Sequence, residues 1–179
     1  AGRPAMLCVH GGAANGHWFD FVAAGFSADH HVLAIDQRGH GESAWAQPPD
    51  YTYERYAADL DAVVTKLGLN DFTLVGHSMG GTVALTYAAT YPGRVSRFVV
   101  VDTTLHITPD RAAKFREVGT RQARTHSTRE EFVARFRLRP ADSSAAPAVL
   151  RHIANRAACQ DKDGNWRHKF DRSVYSTRE

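Results

Sequence analysis

Four short apolar runs punctuate the first hundred residues: Met6–His10 (MLCVH), Val32–Asp36 (VLAID), Phe72–Gly76 (FTLVG) and Phe98–Asp102 (FVVVD). None alternates polar with apolar positions, which is how strands covered on both faces of a parallel sheet read. Helical spacing lies between them. Tyr53, Tyr56, Ala57, Leu60, Val63, Val64 and Leu67 recur at three- and four-residue intervals until Gly68 stops the run. Met79–Tyr91 is rich in alanine and ends at Pro92-Gly93. Strand and helix in alternation predict an α/β fold, a mostly parallel sheet wound with right-handed crossover helices.

The strand pattern stops after Thr104. Residues 109–125 read as a helix with Ala112, Phe115 and Val118 on one side. Residues 128–136 start with a capping box, Thr128 as the cap and Glu131 three positions on. A third helix spans 144–159 through Val149, Leu150, Ile153 and Ala157, and a turn follows at Asp163-Gly164-Asn165. The chain therefore divides into a sheet-bearing part, residues 1–103, and a helical block, residues 104–179.

Charge follows the same division. Residues 1–103 carry a net charge of −4 and residues 104–179 carry +7, so the overall +3 belongs to the helical block. Its basic residues are interleaved with acids and apolars, the pattern of a solvated helical face; neither a nucleic-acid nor a membrane partner is expected. The 179 residues are 43% apolar, enough for a core and inconsistent with disorder. No apolar stretch approaches a membrane span. Two cysteines, Cys8 and Cys159, make no disulfide framework, and Cys8 reads as a small buried hydrophobe. A cytoplasmic location is the expectation.

The chemistry concentrates at Gly76-His77-Ser78-Met79-Gly80-Gly81, where an apolar strand meets a helix. G-x-S-x-G in that context permits a sharp turn that projects Ser78 above the sheet as a nucleophile. The alternative is a serine that merely caps the helix. Acyl transfer also needs two backbone N–H groups aimed at the oxyanion; Met79 follows the nucleophile, and Gly12 lies in the His10-Gly11-Gly12 turn after the first strand. No His/Cys/Asp set has metal-ligand spacing, and no phosphate-binding loop is present, so no metal and no cofactor are expected.

HGG after the first strand, DQRGHGES (Asp36–Ser43) after the second and GHSMGG at the turn together resemble the α/β-hydrolase superfamily, specifically its single-chain serine hydrolases with a helical cap. The likeness spans about the first hundred residues. It implies an α/β-hydrolase fold followed by a cap domain, with Ser78 as nucleophile, Gly12 and Met79 forming the oxyanion hole, and Arg38 and His40 in structural roles. Serine in place of aspartate at the elbow implies hydrolysis of esters, thioesters, lactones or C–C bonds, or related acyl transfer, on a small-molecule substrate. Asp102, at the end of the fourth strand, stands at one of two places the family uses for its catalytic acid.

The same resemblance leaves a gap. The family's base histidine follows the last strand of the full fold, whereas His106, His126, His152 and His168 all fall in or beside the helical block. Four strands in spatial order second, first, third, fourth would leave both outer strands unpaired. The expectation is thus a chain lacking core strands at both ends, inactive alone, with a complementing chain or oligomer at the open sheet edge. A non-catalytic hydrolase-fold binding or signalling protein is the alternative.

Overall fold

A computed structural model describes residues 2–140 and 142–176. Strands β1 (Ala5–Val9), β2 (His31–Ile35), β3 (Thr73–His77) and β4 (Arg97–Val101) form one parallel sheet in the order β2-β1-β3-β4. Each lies within one residue of the apolar run that predicts it. Helices α1 (Asp20–Phe26), α2 (Tyr53–Lys66) and α3 (Met79–Thr90) connect them.

Register decides what each sheet face does. Leu7 pairs with Leu33 and Leu74, and Leu74 with Phe98, so these side chains share one face. On that face Leu7, Val9 and Leu74 bury against Tyr56, Leu60 and Val64 of α2 and Val83 and Tyr87 of α3. Each such side chain contributes on the order of 1.5–3 kcal/mol. On the opposite face Met6 and Cys8 pack against Phe19, in the 3-10 turn Gly16–Phe19 that leads into α1. Burial pushes the Cys8 thiol up to about 11, which makes it an inert core side chain.

The even burial expected of all four strands fails at both outer strands, β2 and β4, neither of which has a buried residue. Phe98, Val99 and Val101 remain 45–50% exposed, because among the described residues β4 has β3 as its one strand neighbour. The apolar run FVVV signals the strand correctly; its covering is a tertiary matter that the run itself does not encode.

The basic part holds α4 (Pro109–Thr120), α5 (Arg129–Arg135) and α6 (Pro147–Arg156). The expected cap of α5 is formed: the Glu131 N–H donates to Thr128 Oγ1 at 3.0 Å. The Glu131 carboxylate reaches one residue further back than in the usual box, accepting from the Ser127 N–H and hydroxyl. Three expectations need correction. The helix read over 109–125 ends at Thr120. The helix predicted to run to Cys159 ends at Arg156, and a strand pair follows where none is expected, β5 (Ala158–Gln160) antiparallel to β6 (Trp166–His168). Three-residue strands are too short for a period-2 pattern to register; only their turn is visible in sequence. The short helix α1 also lacks a sequence signal, since none of its residues is buried.

Phe132, Phe136, Ile153 and Ala154 form a second core with Ala157 and Ala158. The tail then returns to the first. Val174 is fully buried in the sheet core. The Tyr51 hydroxyl donates to Asp171 while accepting from the Ala46 N–H at 2.9 Å, and the Asp171 N–H donates to Gly39 O at 2.7 Å. Sheet part and tail are thus knitted together across 120 residues of sequence. The last three residues, 177–179, lie outside the described part of the chain.

Candidate active site at the β3–α3 elbow

Ser78 sits between β3 and α3 with φ +52° and ψ −118°. A non-glycine residue held there stores on the order of 1–3 kcal/mol of backbone strain, which the surrounding packing must offset. The packing is visible in the glycines. A Cβ on Gly76 would stand 2.6 Å from the Gly81 Cα, and one on Gly80 would stand 2.6 Å from the His10 carbonyl oxygen. Strand and helix approach this closely only because both positions lack side chains. The Ser78 N–H donates to Val101 O at 2.9 Å, and Thr103 Oγ1 donates to Ser78 O at 3.1 Å, so the end of β4 holds the turn from its other side. The Ser78 side chain makes no capping hydrogen bond to α3. That removes the helix-cap alternative and leaves the hydroxyl for other work.

The β1 loop lies directly against the serine. A Cβ on Gly11 would come within 3.2 Å of Ser78 Cβ, so this loop faces the elbow with bare backbone. His10 fixes the loop. Its Nε2 accepts from the Gln37 N–H at 3.1 Å, and because a backbone N–H only donates, the ring proton sits on Nδ1, which bonds Gly11 O at 2.7 Å. The Gln37 side chain adds a bond to His10 O at 2.7 Å. Complete burial, only partly offset by the Gly11 bond and the Asp36 charge, pushes the ring down to about 4. His10 is therefore a neutral strut.

The glycine-rich loop after β2 is structural too. Asp36 accepts from the Gly16 and Glu42 N–H groups, each at 2.7 Å. Arg38 makes a two-point bond to Asp59 of α2 at 2.5 and 2.6 Å. The buried His40 bonds Arg38 O at 3.0 Å. Neither Arg38 nor His40 faces the elbow as a reacting group.

Met79 follows Ser78 and opens α3, and Gly12 follows Gly11, the residue whose backbone faces the Ser78 side chain. Asp102 directly follows β4 at φ +48°, exposed. Its charge raises the pKa of the neighbouring His77 ring, although burial is the stronger influence and holds that ring below its ordinary value. Trp18 stacks on His77 at 6.5 Å between ring centroids and also touches the second core, forming one wall above the elbow.

Among the described residues no histidine hydrogen-bonds Ser78. His126 exchanges backbone bonds with Trp166, and His152 bonds Asp20 at 2.6 Å. His168 is packed among Phe132, Phe136 and Phe170, where burial, reinforced by the Arg172 charge, lowers it to about 4. It is a packing residue.

A strained serine at a strand-to-helix turn, faced by a glycine loop above a parallel sheet, defines the class, and the chain belongs to the alpha/beta hydrolase fold family, whose pattern matches residues 4–178. It is 31% identical to esterase Rv0045c of Mycobacterium tuberculosis over 179 aligned residues, 94% of this chain and 57% of that protein. Serine hydrolase-like protein of Danio rerio is 41% identical over 105 residues, 57% of this chain and 31% of that one. Among solved structures, E-2-(acetamidomethylene)succinate hydrolase superposes with a TM-score of 0.84 at 25% identity, covering 98% of this chain and 64% of its own. The chain thus spans about a third to just over half the length of these curated relatives. No helix among the described residues is long and apolar enough to cross a membrane.

Proposed function

We propose that Ser78 is the nucleophile of a hydrolase acting on small esters or related acyl compounds through an acyl-enzyme. The observation that carries this reading is the strained Ser78 with no capping bond, pressed against the Gly11 backbone. The esterase and hydrolase relatives support it. In the proposed reaction Ser78 Oγ attacks the carbonyl carbon, and the carbonyl oxygen becomes an oxyanion that accepts from the Gly12 and Met79 N–H groups. Its proton passes to a base, the leaving group departs with that proton, and water releases the acyl group.

The base is assigned to polypeptide outside the described residues, delivered by a segment that pairs along the half-exposed edge of β4, with Asp102 proposed as the acid that orients it. A purely binding role is the second reading, favoured by the lack of a histidine bonded to Ser78 among the described residues. Free imidazole separates the two. We expect hydrolysis of p-nitrophenyl butyrate by this chain to rise with imidazole concentration above the protein-free reaction, and Ser78→Ala to abolish the increment. An increment that survives Ser78→Ala, or none at all, would leave the binding reading.

A further inference from the structure

We propose that His17, Asp20 and His152 form a binding site for a divalent transition-metal ion of the zinc type, outside the elbow. His17 lies in the 3-10 turn before α1, Asp20 is the first residue of α1, and His152 lies on α6. Asp20 Oδ2 accepts from His17 Nδ1 at 2.9 Å and from His152 Nε2 at 2.6 Å. One atom from each of the three side chains lies within 4.8 Å of the other two. Two imidazoles and one carboxylate converging from two elements form the donor set of an open tetrahedral zinc site, with the fourth position left to water.

The change required for binding is small. Metal–ligand bonds of about 2.0–2.1 Å at tetrahedral angles put ligand atoms about 3.3 Å apart, so the two nitrogens retreat from the carboxylate oxygen by roughly half an ångström and settle to about that spacing from each other, from a separation within 4.8 Å. Each ring would meet the ion with the nitrogen that faces Asp20, His17 Nδ1 and His152 Nε2, which binds through a lone pair and leaves the remaining ring proton on the outer nitrogen.

The surroundings select the kind of ion. Arg151 and Arg156 flank His152 on α6, and Arg129 lines the same surface cleft. Their positive field opposes ions held mainly by charge, such as Mg²⁺ and Ca²⁺, which also prefer oxygen ligands. Ions that bond imidazole nitrogen strongly (zinc, nickel, cobalt) tolerate it. Sequence alone conceals the set, because His17 and Asp20 are only three residues apart but the third ligand is 132 positions away. A bound ion would pin α6 to the turn that carries Trp18.

Isothermal titration of ZnCl₂ into the intact chain tests this. We expect one saturable equivalent, weakened more than about 100-fold in His152→Ala and in Asp20→Asn, since even residues behind a ligand shift affinity 10–100-fold. His106→Ala should bind as the parent does, and MgCl₂ should give no saturable heat. Far-UV circular dichroism establishes that each variant is folded, and His17→Ala provides a third, independent ligand deletion. Cobalt(II) should give the visible bands of a tetrahedral site without thiolate charge transfer in the near ultraviolet. Unweakened zinc binding in the folded variants, a thiolate band implicating Cys159, or no saturable binding would overturn the proposal.

Discussion

Gly80→Val is expected to destabilise the protein by about 3 kcal/mol or more, read as loss of near-UV circular dichroism and a large fall in the urea midpoint. Its Cβ would meet the carbonyls of Val9 and His10, with Val9 C at 2.6 Å. These atoms are backbone of the central strand β1, which pairs on both sides, with β2 and with β3. They cannot turn aside as the tip of a side chain could. Overpacking in rigid surroundings costs about 1–3 kcal/mol for added methylenes alone, and valine adds two methyls beyond the clashing Cβ. Relief would require α3 to lift from the sheet, which would also undo the elbow. Gly25→Ala is the matched control. Gly25 lies within α1, and a methyl group there would have no neighbouring atom within 4 Å, so alanine should be neutral or stabilise by roughly 0.5–1 kcal/mol. Comparable losses in both variants would mean that the tight strand–helix contact at Gly80 is not the cause.

Stability should also fall as the pH is lowered from about 6.5 to about 4, and His10 should carry a full proton's share of the slope. The His10 pKa is about 4 when folded, against an ordinary value of 6.5. The unfolded chain therefore takes up the proton first, and protonation favours unfolding. The neutral ring's contribution is fully present above 6.5, is lost progressively as pH falls, and levels off near 4. That gap corresponds to about 3 kcal/mol for one fully buried ring, at roughly 1.4 kcal/mol per pH unit. The hydrogen bonds explain why the ring resists charging: a second ring proton would be driven onto Nε2, against the Gln37 N–H. His168, also lowered to about 4, adds a similar term. Urea unfolding of the parent and His10→Gln at several pH values isolates the His10 share. The variant should be less stable at pH 7.5, with a slope shallower by about 1.4 kcal/mol per unit. Parallel pH profiles would contradict the account.

Local patterns carried much of this fold. The four apolar runs locate the strands to within one residue because short aliphatic, β-branched runs bounded by turn signals favour extended backbone. Gly76, Ser78 and Gly80 mark the elbow because the close approach tolerates so few residue types. What local pattern could not express is long-range covering. Phe98 and Val99 read as interior yet stand half-exposed on β4. Asp171 and Val174, on the tail of the basic half, complete the core built by the first half. The β5–β6 pair is too short to show a period, and α1 buries none of its own residues. His10, adjacent to the HGG glycines, signals only a strand end in sequence; its role as strut depends on Gln37, 27 residues away.

The nucleophilic role of Ser78 is tested most directly by a fluorophosphonate probe, used with free imidazole and followed by peptide mass mapping. One phosphonyl adduct per chain is expected, on the peptide containing Ser78, and none in Ser78→Ala. An adduct elsewhere, or one that persists in Ser78→Ala, would contradict it, as would an unlabelled folded chain at saturating probe and imidazole.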